Sequence, residues 1–317
     1  VTSDVYNNVC AENLKAFGFE DRIAVIGSGP SCPFITSIDE LVKRLQSGCN
    51  VRLKPKEFHW DFFERAFRKN PKGYFQSIKQ SFGDTPEWDA RAYRHLAEIH
   101  FKSFVTLNYD DQLPIAFRYK HGTNFSELFR VYPTLGVDKF FFPNDLCGHK
   151  QRLVAIHGYR NDQDPSWHKN LVLNVSDYNR HYGDGTQSDG KKGYPELFGW
   201  WHALLTSQPC VFIGTSLQEP GIYNVVQELR KDGNPDYIKQ NHIHLKHTSR
   251  LNNTPFYEPP RATIHGIQQV LYDKIDAKFS GLLDVLSAFS NIPTSRPVPM
   301  NPKRTPIMMD ANYDFSL

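Results

Sequence analysis

Zinc-type cysteine pairs, a disulfide framework, membrane-length apolar runs and a strong charge of either sign are all missing from this sequence. Its five cysteines (Cys10, Cys32, Cys49, Cys147 and Cys210) are odd in number and widely scattered. None forms a C-x-x-C pair, which argues against a structural zinc ribbon or a disulfide scaffold and for reduced thiols in a cytoplasmic protein. No apolar run approaches the roughly 18 to 20 residues of a membrane span, and no signal peptide is evident. The 37 Lys+Arg stand against 34 Asp+Glu, a formal charge of +3. So even a balance argues against a dedicated nucleic-acid surface. Internal repeats and low-complexity tracts are absent as well. The chain begins with Val rather than Met and ends in a Pro-rich stretch, so a longer gene product with further regions is expected.

What is present is the alternation of a parallel α/β protein. Val5, Val9, Leu14 and Phe17 suggest a leading helix over residues 1–20. "RIAVIGSGPS" reads as a buried strand, Ile23 to Ile26, running into a glycine loop. Ser37-Ile38-Asp39-Glu40 then has the S-x-x-E form of a capping box ahead of Leu41, Val42 and Leu45. Residues 53–100 carry no strand signal. Phe58, Phe62, Phe63 and Phe67 share one helical face, and Phe75, Ile78 and Phe82 share another. A third helix would start at Thr85-Pro86 and carry Trp88, Ala92, Leu96 and Ile99. This block reads as a helical insertion. Strands are expected at Phe104–Leu107, Leu153–Ile156, Val211–Ile213, His242–Leu245 and Gln268–Leu271. Amphipathic helices are expected between or after them at 197–205, 222–229 and 279–289. That order predicts an α/β fold, a parallel sheet with helices on both faces. Residues 158–193 read as a polar loop, loosest at "HYGDGTQSDGKKG". Residues 291–317 read as a Pro-rich arm or linker.

Ligands of an open parallel sheet bind beyond the carboxyl ends of its strands, so the residues there carry the chemistry. The first strand presents Gly27-Ser28-Gly29-Pro30-Ser31, either a phosphate-approaching loop or an ordinary turn. The second presents Asn108-Tyr109-Asp110, turn formers when taken alone. "LVAIHG" presents His157 and Gly158, and a lone histidine there is either structural or catalytic. "CVFIGTSLQEP" presents Gly214, Thr215 and Ser216. Four such edges in one chain are improbable as independent accidents.

"IGSGPS", "TLNYD", "IHG" and "IGTSLQEPGI", in this order and approximate spacing, resemble the sirtuin-like NAD-consuming domains of bacterial antiviral defence systems. "LVLNVSDY" and "IQQVLYD" add to the resemblance, which spans residues 21–290. It implies a Rossmann-like parallel sheet flanked by helices, with NAD+ bound as a substrate and no required cofactor. It also implies that Gly27, Ser28, Gly29, Ser31 and Asp110 bind the dinucleotide, that Gly214, Thr215 and Ser216 hold its adenosine half, and that Asn108 and His157 are catalytic. Glu219 stands where such domains more often carry Asp. The deacylase branch has zinc-binding cysteines and a G-I-P-D-F-R-like segment; neither is found here. The implied activity is an NAD+ glycohydrolase used in antiphage defence (abortive infection), homo-oligomeric and regulated by a partner such as a HerA-type ATPase or an Argonaute-like module. Neither nucleic acid nor membrane is an expected partner. A non-hydrolytic NAD or ADP-ribose-binding scaffold and an NAD-dependent deacylase stand as alternatives.

Three further features read as structural. His242 and His244 in "NHIHLKH" are expected on the surface-facing side of a strand rather than on a metal. Trp200 and Trp201 are expected in a helix core or an oligomer contact, and Tyr109 in packing. "KRLQSGCNVRLKPK" reads as a solvated face.

Overall fold

The computed structural model describes residues 18, 21–31, 38–83, 91–131, 150–161, 164–183, 196–215, 217, 219–248, 263–264, 266–273 and 280–290. The leading helix, the Ser37 cap, the Thr85-Pro86 helix start with Trp88, Ser216, the segment 184–193, the Pro-rich arm, and Cys10, Cys32 and Cys147 lie outside the described residues.

The chain builds one eight-stranded sheet. In chain order its strands are β1 (Ile23–Ile26), β2 (Ser103–Thr106), β3 (Phe129–Val131), β4 (Leu153–Ala155), β5 (Cys210–Ile213), β6 (Ile243–Thr248), β7 (Thr263–Ile264) and β8 (Ile267–Asp273). Their spatial order is β3-β4-β2-β1-β5-β6-β8-β7. All pairings are parallel except that of β7 with β8. The six strands expected from the sequence all form, with ends shifted by a residue or a few, and β3 and β7 are additions. β1 lies in the middle, with β2 on one side and β5 on the other. The chain reverses its winding direction there, and ligands of such sheets bind beyond the carboxyl ends of the strands at that reversal.

Helices cover both faces, because each strand residue points opposite to its neighbour and both sets are apolar. One face carries Ala24, Ile26, Phe104, Leu153 and Ala155 against α4 (Arg91–Glu98), α5 (Gln112–His121), α6 (Phe125–Leu128) and α11 (Ser280–Ser287). The other carries Ile23, Val25, Val105, Val154 and Phe212 against α7 (Val175–Tyr182), α8 (Glu196–Ser207), α9 (Pro220–Lys231) and α10 (Pro235–Lys239). A third core joins α1 (Ile38–Cys49), α2 (His59–Lys69) and α3 (Pro71–Gly83) with Trp167, Leu171 and Leu173. Trp201 is fully buried, a helix-core residue as expected. Among the described residues no helix is long and apolar enough to cross a membrane.

Two expectations need correction. Residues 158–193 are not one long loop: α7 occupies 175–182. Its N-cap is a capping box in which the Asn174 side chain accepts from the Asp177 amide and Asp177 reaches back to the Asn174 amide, the same reciprocal arrangement as S-x-x-E in other residues. His242 and His244 are not surface histidines; they are 0% and 2% exposed. β6 is paired on both edges and covered on both faces: Ile243 and Leu245 share a core with Leu282 and Val285 of α11, and on the other side His242 meets Leu205 of α8 and Tyr237 of α10, so no solvent face remains for a polar side chain. Both rings are bonded to backbone instead, His242 Nε2 to the Leu205 carbonyl at 2.9 Å and His244 Nε2 to the Thr215 carbonyl at 2.8 Å.

Candidate active site

The loops after β1 and β5 interlock through their glycines. The Gly27 amide donates to Ile213 O and the Gly29 amide to Gly214 O, both at 2.9 Å. A Cβ on Gly29 would lie 2.6 Å from the Gly214 Cα, and a Cβ on Gly214 would lie 2.5 Å from the Pro30 ring. Gly214 is moreover left-handed, with φ +66. Gly214→Ala is therefore expected to cost about 2 to 4 kcal/mol, combining overpacking with left-handed strain. Gly233→Ala is the internal control: its φ is +59 but nothing lies within 4 Å of the added methyl, so it should cost only the strain. Thermal melts of the two variants separate the effects, and equal losses would show that the interlock is not tight.

The interlock also restricts how this loop can meet a ligand. The amides of Gly27, Gly29 and Ser31 all donate within the protein, and Pro30 has none. The Ser28 amide makes none of these bonds, and Ser28 is the exposed residue of the loop. Thr215 is fixed from two sides: its hydroxyl accepts from the Leu217 amide at 3.1 Å and its carbonyl accepts from His244.

Next to these loops stand two buried polar clusters. The first holds Asn108, Asp110, Ser31 and Tyr93. The Asn108 Nδ2 group donates to Gly27 O at 2.8 Å, Tyr93 Oη at 2.9 Å and Ser31 Oγ at 3.2 Å. A carbonyl only accepts, so Gly27 fixes which way the amide points. The Asn108 Oδ1 oxygen takes part in none of these bonds. Ser31 also donates to Asp110 Oδ2 at 3.0 Å and is hydrogen-bonded to the Tyr93 hydroxyl, while the Gln112 amide donates to Asp110 Oδ1 at 2.9 Å. Burial pushes the Asp110 carboxyl up to about 7, against the pull of the Gln112 amide. Near pH 7 its proton is thus held only part of the time.

Removing the Asn108 amide would strand its buried partners. Asn108→Ala is expected to lower stability by about 1 to 3 kcal/mol, readable as a fall in denaturation midpoint. An unchanged midpoint would show that water replaces the amide.

The second cluster surrounds His157, on the opposite side of the Asn108–Asp110 backbone. Its Nε2 is 2.8 Å from Tyr182 Oη and 3.7 Å from Glu219 Oε1. Tyr178 meets its ring edge-on at 5.7 Å, and Tyr109 lies at 6.4 Å, 25° from parallel. The Tyr109 hydroxyl donates to the Val172 carbonyl at 2.8 Å. Burial lowers the His157 pKa to about 3, and a hydrogen bond to the Leu107 backbone opposes this only weakly. The imidazole is therefore neutral at pH 7, and in this buried setting it holds a proton only weakly. Glu219 caps α9 by accepting from the Gly221 and Ile222 amides at 3.3 and 2.8 Å. Burial raises its pKa against those bonds.

The structure thus groups Asn108 with Ser31, Asp110 and Gly27, and groups Gly27 and Gly29 with Gly214 and Thr215. His157 stands apart from Asn108 in hydrogen bonding, although the β2–β4 register brings the two strand ends side by side, with the Ile156 amide on Thr106 O and the Arg160 amide on Tyr109 O. Sequence reasoning missed Tyr93, Tyr178 and Tyr182, and weighed Glu219 only as a departure from a pattern. The Asn174–x–x–Asp177 box was the available signal for α7, and Tyr178 and Tyr182, four residues apart, would then share one helix face. Tyr93 carries no comparable signal. Among the described residues no group of three or more His, Cys, Asp or Glu is placed to hold a metal ion.

Residues 102–258 match the family described as SIR2-like domain. Asn108, Asp110, His157, Gly214 and Thr215 fall within the match, and the Gly27–Ser31 loop precedes it. No curated protein matches the chain. Among solved structures it is similar to one from a study of the structural basis for the mechanism and regulation of Sir2 enzymes, at 12% identity and a TM-score of 0.38, over 90% of this chain and 96% of that one. The part of the chain that matches holds β2, β4 and β5 of the parallel sheet, and over residues 102–258 the chain is similar to a SIR2-like domain.

Proposed function

We propose that the chain is an NAD+ glycohydrolase, cleaving the nicotinamide–ribose bond to nicotinamide and ADP-ribose. What supports this above all is His157, a neutral and buried imidazole just past the end of β4, the strand paired with β2, whose end presents Asn108. Cleavage builds oxocarbenium character on the ribose while nicotinamide leaves as a neutral molecule. The pyridinium charge already favours departure, so the enzyme's task is to hold the ribose, exclude bulk water and place one water. His157 takes the proton of that water or of a ribose hydroxyl at its Nε2. Asn108 orients the same group through Oδ1, its Nδ2 being held by Gly27, Tyr93 and Ser31. Asp110 meets the nicotinamide carboxamide, and Gly27, Ser28, Gly29 and Ser31 border the dinucleotide, with Ser28 offering the amide. Gly214, Thr215 and Ser216 hold the adenosine half.

In this reading NAD+ is consumed as substrate with no further cofactor, and the enzyme acts in the cytoplasm as a homo-oligomer. A defence partner, such as a HerA-type ATPase or an Argonaute-like module, releases its activity so that NAD+ is depleted during phage infection. The missing zinc cysteines weigh against deacylation. The direct test is incubation with NAD+, with and without the native partner, followed by separation of products. Nicotinamide with ADP-ribose is the expected result. Binding without turnover in the assembled state would instead make the chain a scaffold, and cleavage only with an acyl peptide would make it a deacylase.

A further inference from the structure

His157 is held by more than its burial. Its bond to the Leu107 backbone raises the pKa and so is donated by a ring N–H; with Nε2 facing the Tyr182 hydroxyl, that proton is assigned to Nδ1 and the lone pair to Nε2. The group on that lone pair is the Tyr182 hydroxyl, at 2.8 Å. Tyr182 is itself fixed. Trp201 Nε1, which only donates, bonds to the same hydroxyl oxygen at 2.9 Å. The phenol ring is pressed against the first turn of α9, since a Cβ at Gly221 would come within 2.3 Å of its Cε1 atom. Three helices therefore meet at one hydroxyl: α7 supplies Tyr182, α8 supplies Trp201 and α9 supplies the wall at Gly221. The same turn of α9 holds Glu219, 3.7 Å from the same imidazole nitrogen.

A base whose lone pair already accepts a hydrogen bond cannot take a proton from water or a ribose hydroxyl until that bond is exchanged. We propose that Tyr182 is a positioning residue that fixes the tautomer of His157 and caps its reactive nitrogen, so that the resting site holds its own base out of use. The proposal rests on the glycohydrolase reading of His157. Turnover then requires α7 to shift relative to α9, drawing the Tyr182 hydroxyl off Nε2 and freeing that position for the substrate-side donor. No atom is lost in the exchange: one O–H···N bond is replaced by another, and the proton moves only when the second is in place.

The test pairs a spectrum with a rate. In the full chain, the ¹⁵N resonances of His157 should show Nδ1 protonated and Nε2 bare but hydrogen-bonded, and Tyr182→Phe should move Nε2 to the position of an unbonded nitrogen. The same variant should release nicotinamide roughly 5- to 10-fold faster than wild type without any partner, the worth of about one net hydrogen bond. Because the Phe variant leaves the Trp201 N–H without that acceptor, Gly221→Ala is the companion: it keeps the hydroxyl but displaces the ring, and should raise the basal rate too. A wild-type spectrum with Nε2 protonated overturns the proposal. So does an active enzyme in which neither variant is faster than wild type. If the spectra are as expected while NAD+ stays intact in every form, with and without partner, the capping bond stands and the glycohydrolase reading falls.

Discussion

His157→Ala is expected to cut nicotinamide release at least about 100-fold under conditions where the wild-type chain is active, the low end of what a positioned general base supplies. The Ala variant removes more than a base, because it opens a cavity among Tyr109, Tyr178 and Tyr182 and takes the His157 nitrogen from the Tyr182 hydroxyl, which keeps its bond from Trp201. His157→Gln separates the two effects: its amide can still accept the Tyr182 hydrogen but cannot take a proton. The Gln variant should keep most of the wild-type melting temperature and be as inactive as Ala. Full activity in the Gln variant would remove His157 from the chemistry. The pH profile offers a second reading of the same point. With its pKa lowered to about 3, His157 stays neutral through the mildly acid range, so kcat should show no histidine limb near pH 6.5.

Acidification should instead attack the fold. His157, His242 and His244 are buried and neutral, with pKa values lowered by burial to about 3, 4 and 4. Between those values and the ordinary 6.5, the unfolded chain binds more protons than the native one, so stability falls as pH falls. From pH 7 to pH 5 each ring costs about 2 kcal/mol. Asp110 acts in the opposite sense: its raised pKa, about 7, lets the native state take up a proton over the same range and return about 2 kcal/mol. Glu219, also raised by burial, works in the same direction as Asp110. The net loss is several kcal/mol, a large fraction of the roughly 5 to 15 kcal/mol that holds a domain together. Urea melts at pH 7, 6 and 5 should show the midpoint falling steadily. His242→Gln should flatten that fall, because this ring serves only backbone partners, the Leu205 carbonyl and the Cys210 amide. A midpoint that does not move between pH 7 and 5 would mean these rings are hydrated enough to ionise in place.

The parts of the molecule readable beforehand were those written in consecutive residues. The four loops at the strand ends, the strands themselves and the glycine-rich edge follow from runs such as "IAVIGSG" and "VFIGTS", where local pattern and tertiary role coincide. β3 and β7, of three and two residues, are too short to show a period. α5 was missed because it follows the strand-end turn directly and carries Pro114 in its first turn, where proline is tolerated but reads as a break. His242 and His244 were misplaced because alternation distinguishes two faces without saying whether either is wet. Partnerships such as Asn108 with Tyr93, or Tyr182 with Trp201, depend on which helix covers which face. No local signal encodes that choice.

The central position of β1 has a consequence for how the protein is made. Ile23 pairs with Ser103 on one side and with Cys210 on the other, so its second neighbour is synthesised 210 − 23 = 187 residues later. At roughly 5 to 20 residues per second, the ribosome needs about 10 to 40 seconds to deliver it. Throughout that interval an apolar strand, Ile23-Ala24-Val25-Ile26, waits with one hydrogen-bonding edge open, a template for any passing chain. A strand from the middle of the finished sheet is thus made before both of its neighbours and keeps an open edge until β5 is delivered.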